Sequence, residues 1–309
     1  MSAAPDSAPR VHVRAPGKIN LVLRCGAPGE DGYHRLATVF QAVSLYEDVV
    51  AELADDVTVT VTGRQADVVP TDGENLAVRA ARLLADSTGT AEGVRLHVTK
   101  NVPVSGGMGG GSADAAATLL ACDLLWGTGL ARDELAELAA ELGADVPFAL
   151  TGQTAVGTGR GDVLAPALAR GTHHWVLATQ SWGLPTPEVY ARFDELRPDP
   201  APPRLEDGLM AALVGGSSAD LADYVANDLA DAAVALRPEL AGVLDAFDAA
   251  GALARTVSGS GPTVFGLAAD LADAQDVAAS VRDAGVADDV LLVTGPVSGA
   301  RALESMRGV

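Results

Sequence analysis

Residues 103–117 read Pro-Val-Ser-Gly-Gly-Met-Gly-Gly-Gly-Ser-Ala-Asp-Ala-Ala-Ala, and they are the most informative stretch of the 309-residue chain. Five glycines fall within six positions, between a predicted strand at residues 93–99 and a predicted helix that begins at Ser112. Glycine lets the backbone turn its N–H groups toward an anion, and a helix start adds unpaired donors and the positive end of its dipole. The stretch therefore predicts a loop that binds the phosphates of a nucleotide.

Two better-known glycine motifs do not describe this loop. It lacks the Gly-Lys-Ser/Thr that ends a Walker A loop. It also starts only at Pro103, without the acidic residue after a second strand that a dinucleotide-binding fold places near the ribose. A flexible linker or a tight packing turn is the structural alternative, but neither requires a glycine run that leads directly into a helix.

Charge limits the partners that we expect. The formal net charge is −20, with 41 acidic and 21 basic residues, and a negative field of this kind repels nucleic acid and anionic membranes. A phosphate-bearing substrate then needs positive charge that is concentrated locally. Lys18 and Lys100 are the two lysines of the chain, and both lie beside candidate motifs. A compact ammonium group suits roles that a flat guanidinium does not.

Cysteine use and hydropathy predict a cytoplasmic protein. Cys25 and Cys122 show no metal-ligand spacing and are too few for a disulfide framework. Residues 1–9 lack the apolar segment of a signal peptide. No apolar run reaches the roughly 18 residues that a membrane span requires.

The order of predicted strands and helices indicates an α+β fold. Strands are predicted at residues 11–14 and 19–24, separated by a turn at Pro16-Gly17, and the first sixty residues hold further strands. The second half includes a predicted helix near residues 221–236. We place a domain boundary near residue 165, where the character of the sequence changes.

With its glycine loop, the chain resembles the GHMP kinase family. Residues 15–21, Ala-Pro-Gly-Lys-Ile-Asn-Leu, match the first family motif, residues 103–113 the second, and residues 257–263, Val-Ser-Gly-Ser-Gly-Pro-Thr, the third. The resemblance implies an α+β fold of two domains. Residues 10–165 would form a ribosomal-S5-domain-2-like, ATP-binding domain, and residues 166–309 a ferredoxin-like domain that contributes to the substrate cleft.

Four further segments resemble one branch of this family, which phosphorylates a hydroxyl of a cytidine-diphosphate-linked alcohol in non-mevalonate isoprenoid biosynthesis. They are Lys-Ile-Asn at 18–20, Asp-Gly-Tyr-His-Arg-Leu at 31–36, Gly-Ala-Asp-Val-Pro at 143–147 and Pro-Thr-Pro-Glu-Val-Tyr at 185–190. Homoserine and mevalonate kinases of the same family lack the Asp-Gly-Tyr-His and Pro-Thr-Pro segments and remain alternatives. A non-catalytic nucleotide-binding module is an alternative of another class.

The resemblance assigns roles to individual residues. Lys18 and Asp145 would be catalytic, with Asp145 acting either as the base or as a group that orients the acceptor hydroxyl. On local sequence alone, the favoured role of Asp145 is to cap a helix. Asn20 would bind substrate or hold Lys18, or it would stabilise a turn. Tyr33, His34 and Tyr190 would bind the cytosine, against the alternative that they are ordinary core residues.

The resemblance also implies an ATP site and Mg²⁺, with no metal ligand identified. The residues expected to contact ATP are Pro103, Val104, Ser105, Gly106, Gly107, Met108, Gly109, Gly110, Gly111, Ser112 and Ala113. The family often continues with Ser-Ser-Asn, whereas this chain has Ser112-Ala113-Asp114. Asp114 would either help to hold a metal ion or favour the first turn of the helix. Residues 258–263 would pack a second glycine turn against the loop, or form a bare turn.

Overall fold

The computed structural model describes residues 9 to 306, in which strands and helices alternate. The strands are β1 (Arg10–Pro28), β2 (His34–Ala54), β3 (Thr58–Gly63), β4 (Gly93–Lys100), β5 (Thr154–Thr158), β6 (Val163–Pro166), β7 (His173–Thr179), β8 (Ala226–Asn227), β9 (Ala254–Val257), β10 (Val264–Ala268), β11 (Asp289–Gly295) and β12 (Arg301–Met306). The helices are α1 (Leu76–Thr88), α2 (Gly110–Trp126), α3 (Arg132–Leu142), α4 (Val146–Thr151), α5 (Thr186–Leu196), α6 (Leu209–Gly215), α7 (Ser218–Ala222), α8 (Ala230–Leu236), α9 (Glu239–Ala249) and α10 (Leu271–Asp283). Among these helices, none is both long and apolar enough to cross a membrane.

Two long strands organise the first sheet. Its main path runs β12-β1-β2-β4-β3, while β5 and β6 continue from β2 and the short β8 pairs with β1. The predicted turn at Pro16-Gly17 is wrong, because β1 continues through these residues. The register between β1 and β2 shifts between Pro16 and Lys18, whose partners are Tyr46 and Ala42, so β2 has the extra residues and bulges opposite Gly17. A bulge disturbs the ladder locally without ending either strand, so Pro16 and Gly17 remain inside β1.

The second sheet is smaller and antiparallel, with the order β11-β7-β10-β9. Strands β9 and β10 form a hairpin around the third motif. Helices α9 and α10 pack on the sheet and bury Val243, Phe247 and Val277 in its core. The second sheet is thus the ferredoxin-like layer that the resemblance implies.

The last strand does not stay with the second sheet. Backbone partners place β12 beside β1, at the edge of the first sheet. The division at residue 165 remains a prediction, and the strand order adds that the chain returns to the first sheet after β11.

Helix α2 lies in the middle of the first domain core. Ala115, Ala116, Leu119 and Cys122 are buried there, and small side chains let neighbouring elements approach the helix closely. Its N-terminal end therefore sits at a fixed place, directly after the glycine loop.

The continuous helix predicted near residues 221–236 is wrong. The structure has α7 and α8 there, separated by the two-residue strand β8, which pairs in parallel with Val22 and Leu23 of β1. The side-chain nitrogen Nδ2 of Asn227 donates hydrogen bonds to the backbone oxygens of both Val257 and Gly259, each at 2.7 Å. These bonds come from distant parts of the chain, so local periodicity does not reveal them.

Candidate active site

A cleft of about 710 Å³ runs between the two halves of the molecule. On one side it is lined by the glycine loop and by Val69 and Asn75, next to the start of α1. On the other side it is lined by Leu36, Arg160 and Tyr190. Lys18, Asn20 and Asp145 lie in the middle of the lining.

The glycine loop is open to this cleft. Its largest side chain, Met108, is fully buried and packs into the core formed by β1 and the second sheet, so it does not fill the cradle. The backbone oxygen of Met108 accepts a hydrogen bond of 2.9 Å from the N–H of Lys18. The first and second sequence motifs are therefore joined through their backbones, and α2 begins at Gly110 with its free N–H groups at the cleft.

The third motif packs against the loop, which is one of the two alternatives that the sequence leaves open. The Ser258 hydroxyl donates to the backbone oxygen of Gly107 at 3.0 Å. Gly107 has φ of 73°, and a Cβ atom there would lie 2.1 Å from the backbone oxygen of Ser258. Glycine is thus required at this position both by the left-handed backbone and by the close approach of the second turn.

Lys18 and Asp145 meet beside the loop although they are 127 positions apart in sequence. Lys18 Nζ lies 3.7 Å from Asp145 Oδ2. A Cβ atom at Gly109 would lie 3.6 Å from the same carboxylate oxygen, so the pair borders the loop directly. Asp145 occupies the N-cap position of α4, but its side chain makes no capping hydrogen bond. The carboxylate therefore faces the cleft with acceptor capacity free, and capping does not account for it.

A short chain of hydrogen bonds holds Lys18 in place. Lys18 Nζ donates to Asn20 Oδ1 at 2.7 Å, Asn20 Nδ2 donates to Thr38 at 2.8 Å, and the Thr38 hydroxyl donates to the backbone of Val22 at 2.6 Å. Asn20 and Thr38 are buried, at 2% and 0% exposure. Buried polar groups with full hydrogen bonding have a single arrangement, so this chain fixes the direction of the ammonium group.

Of the three residues expected to bind cytosine, Tyr190 lines the cleft, whereas Tyr33 and His34 are not part of its lining. The rings of His34 and Tyr190 have centroids 4.9 Å apart. His34 Nδ1 donates to the backbone oxygen of Gly26 at 2.8 Å, which orients the imidazole. Tyr33 is 56% exposed, and the guanidinium of Arg160 lies 4.8 Å from its ring centroid. The structure brings His34 and Tyr190 together, while contact of the three with a pyrimidine stays a prediction.

Behind the loop lies a buried charge cluster that the sequence analysis missed. Lys100 Nζ lies 2.6 Å from Glu47 Oε1 and 2.6 Å from Asp114 Oδ2, and Asn101 N–H donates to Glu47 at 2.8 Å. Burial, with the charge of Asp114, raises the pKa of Glu47 to about 8. Burial likewise raises the pKa of Asp114 to about 6.

The cluster also bears on a metal ion. Within residues 9–306, no group of three or more His, Cys, Asp or Glu side chains forms a metal cage. Mg²⁺ in phosphoryl-transfer sites needs only one or two protein ligands, because nucleotide phosphates and water supply the others. Asp114 and Ser112 line the cleft, and Asp114 Oδ1 is buried without a hydrogen-bond partner in the described chain. The residues present therefore fit a phosphate-bound Mg²⁺.

Arg160 was also missed. It lines the cleft between β5 and β6, in the segment Gly159-Arg160-Gly161. An arginine flanked by two glycines is the signal that could have singled it out, because such a turn exposes its middle side chain.

Comparison with known proteins shows to which family the chain belongs. The description "GHMP kinases N terminal domain" matches residues 75–153, and "GHMP kinases C terminal" matches residues 209–287. A protein named 4-diphosphocytidyl-2-C-methyl-D-erythritol kinase from Leifsonia xyli subsp. xyli is 55% identical over 95% of this chain and 98% of its own length. The chain belongs to the GHMP kinase family. A protein of the same name from Clavibacter michiganensis subsp. michiganensis is 53% identical to this GHMP kinase over 98% of the chain and 99% of its own length.

Solved structures agree with the fold of this GHMP kinase. A crystal structure of 4-(cytidine 5'-diphospho)-2C-methyl-D-erythritol kinase superposes with a TM-score of 0.76 at 34% identity, over 92% of this chain and 98% of that one. A homoserine kinase from Cytophaga hutchinsonii also reaches a TM-score of 0.76, at 19% identity over 98% and 99% of the two chains. The second likeness concerns the fold alone, so fold does not separate the two substrates.

Proposed function

We propose that this GHMP kinase transfers the γ-phosphoryl group of ATP to the 2-hydroxyl of 4-diphosphocytidyl-2-C-methyl-D-erythritol, in non-mevalonate isoprenoid biosynthesis in the cytoplasm. The observation that carries the proposal is the pair of Lys18 and Asp145, 3.7 Å apart beside an open glycine loop. The names of relatives at 53–55% identity support the choice of substrate.

The ATP phosphates would lie on the glycine loop and the start of α2. Within residues 103–113, the stretch from Gly107 to Ser112 offers backbone N–H groups, and the dipole of α2 adds partial positive charge at Gly110. Ser112 and Asp114 would hold Mg²⁺ together with the phosphates. When bound, the ion supplies neutralising charge on the phosphate oxygens.

In the transfer step, Asp145 would accept the hydrogen bond of the 2-hydroxyl and direct its oxygen at the γ-phosphorus. The new O–P bond forms as the bond to the bridging oxygen of ADP breaks, and the hydroxyl proton passes to Asp145 or to water that Asp145 holds. Lys18 would stabilise the negative charge on the transferred group. Because Asn20 fixes the ammonium group at 2.7 Å, this charge needs no rearrangement during the reaction.

The cytidine end would lie beside the ring of Tyr190, which lines the cleft, with the imidazole of His34 packed against that ring at 4.9 Å between centroids. Aromatic rings stack on any base, and hydrogen bonds to its edge select the base. Tyr33 would cover the other face of the cytosine. Homoserine and mevalonate have no base that this part of the cleft could bind.

An acceptor panel tests the proposal. ADP release is measured with 4-diphosphocytidyl-2-C-methyl-D-erythritol, homoserine and mevalonate, each with ATP and Mg²⁺. We expect turnover with the cytidylyl substrate only. Turnover with homoserine or mevalonate in its place would contradict the proposal, and ATP binding without turnover on any acceptor would indicate a binding module.

The variant Asp145→Asn tests the role of the carboxylate in phosphoryl transfer. It keeps the side-chain size but removes the charge, so we expect turnover to fall about 10²- to 10⁴-fold while ATP binding is kept. Asp133→Asn on α3, an exposed carboxylate away from the cleft, is the control and should behave as the unmodified chain. If Asp145→Asn kept turnover within a few-fold, the role given to Asp145 would be wrong.

A further inference from the structure

Arg160 lines the cleft, but none of the steps proposed above involves its positive charge. It sits between two glycines in the turn that joins β5 to β6. The backbone oxygen of Gly159 accepts a hydrogen bond of 2.8 Å from the N–H of Leu36. A Cβ atom at Gly161 would lie 3.6 Å from Phe40 and 3.7 Å from Leu36, so the turn lies directly over β2.

This placement puts Arg160 between the two ends of the substrate site. Lys18 Nζ lies 5.4 Å from the ring centroid of Phe40, which marks the reacting end. The guanidinium of Arg160 lies 4.8 Å from the ring centroid of Tyr33, which marks the base end. Leu36 and Phe40 are four residues apart on one strand, which corresponds to about 13 Å. An extended nucleotide-linked substrate has to cross this interval.

Arg160 also differs from the other cationic side chains of the cleft in how weakly its charge is paired. Among the described residues that line the cleft, the cationic side chains are Lys18, Lys100 and Arg160. Lys100 is 3% exposed and is held by two carboxylates, while Lys18 is held by Asn20 and Asp145. Arg160 is about half exposed, and its ion pair with Asp162 at 3.3 Å joins two residues of one turn.

A substrate with a diphosphate needs such a group. Two phosphates carry at least two negative charges into a chain whose net charge is −20, and the field of that chain repels them. A guanidinium presents a planar set of donors that matches phosphate oxygens in a bidentate way. The exposed ion pair of Arg160 with Asp162 is weak, so it yields readily to a phosphate.

We infer that Arg160 binds the diphosphate of the cytidylyl substrate and is a specificity-determining residue of the kinase. This inference rests on the function proposed above. The cation–π contact with Tyr33 holds the guanidinium at the base end, where the diphosphate joins the ribose. Arg160 thereby selects substrates that carry a diphosphate next to their base.

The test compares two ligands that differ only in the diphosphate. Binding of cytidine 5'-diphosphate and of cytidine is measured by calorimetry for the unmodified chain, Arg160→Ala and Arg160→Lys. We expect Arg160→Ala to weaken binding of cytidine 5'-diphosphate about 10- to 100-fold and to leave cytidine binding unchanged. Arg160→Lys should fall between the two, because an ammonium group keeps the charge but loses the bidentate geometry.

Arg95→Ala is the matched control. Arg95 is 54% exposed and pairs with Glu52 at 3.6 Å, but it does not line the cleft, so neither ligand should change in affinity. Equal weakening of both ligands in Arg160→Ala would overturn the inference, because Arg160 would then act only through the Tyr33 ring. Unchanged binding of both ligands would overturn it as well.

Steady-state kinetics separate this inference from the proposed function. In Arg160→Ala, the KM for the cytidylyl substrate should rise about tenfold or more, while kcat and the KM for ATP stay within a few-fold. If the unmodified chain phosphorylates this substrate and Arg160→Ala has the same KM, the inference on Arg160 fails and the proposed function stands. If the unmodified chain phosphorylates homoserine or mevalonate in its place, the proposed function itself fails.

Discussion

Lys18 and Lys100, the two lysines of the chain, lie on either side of the phosphate loop and both face carboxylates. Lys18 Nζ is 3.7 Å from Asp145, whose side chain is one-third exposed to the cleft. Lys100 Nζ is 2.6 Å from both Glu47 and Asp114, and all three groups are buried. The first pair is open to the cleft, whereas the second group is almost enclosed, with Lys100 and Glu47 held between the sheet and α2.

The difference separates the pair that we propose to react from a group that supports the fold. Lys100 ends β4, Glu47 lies on β2 and Asp114 lies in the first turns of α2, so the cluster ties three elements together behind the loop. Burial by itself lowers the pKa of Lys100, but the charges of Asp114 and Glu47 outweigh it and raise that pKa. Lys100 therefore stays cationic, and its removal would leave carboxylates buried without a counter-charge.

The largest effect is expected from Lys100→Met. Breaking a buried ion cluster by removing one partner costs about 3–5 kcal/mol, so the free energy of unfolding should fall by this amount. Urea denaturation at neutral pH measures the change. A stable but inactive Lys100→Met would contradict the comparison, because Lys100 would then belong to the reacting groups.

Lys18→Met should show the reverse pattern, with a smaller cost in stability and a large loss of activity. Removal of one charged donor from a transition state costs about 10²- to 10³-fold in kcat. The free energy of unfolding should fall by about 1–2 kcal/mol, because Asn20 loses one hydrogen-bond partner. An ADP-release assay gives kcat, and urea denaturation of the same preparation gives the free energy of unfolding. If the two lysine variants lost equal free energy of unfolding, the proposed difference between Lys18 and Lys100 would be wrong.

The sequence predicts the reacting side of this comparison better than the supporting side. Lys18 and Asp145 lie inside motifs whose residue types state their chemistry, and the structure brings them together beside the loop. Glu47 carries no such signal, because it lies in an ordinary strand and acquires its role from partners 53 and 67 positions away. Local pattern describes neighbours in sequence, whereas this cluster depends on sheet pairing and on the path of α2.

The errors in the predicted fold have the same origin. The residues of the predicted turn at Pro16-Gly17 continue β1, because pairing with β2, which bulges opposite them, overrides the local turn preference. The helix near residues 221–236 is interrupted where Asn227 bonds to the third motif and β8 pairs with β1. The strand predicted at residues 93–99 is correct, because buried and exposed residues alternate along β4, Gly93–Lys100.

The smallest effect is expected from Glu47→Gln, which tests the charge state of the buried cluster. The pKa of Glu47 is raised to about 8, far above the value of about 4.3 for an unfolded chain. Between these values the folded protein holds a proton that the unfolded chain releases, so the stability contributed by Glu47 is complete below about pH 4.3 and is lost as the pH rises toward about 8.

Gln removes this titration while it keeps the shape of the side chain. Near about pH 4 the free energies of unfolding of the variant and the unmodified chain should therefore agree within about 1 kcal/mol, and the variant should gain stability relative to the unmodified chain as the pH rises to about 8. Urea denaturation across this range measures both trends, with Glu137→Gln on the exposed face of α3 as the control. A relative stability of Glu47→Gln that stayed constant between about pH 5 and about pH 8 would mean that Glu47 is ionised in the folded protein, and that Lys100 neutralises two full negative charges.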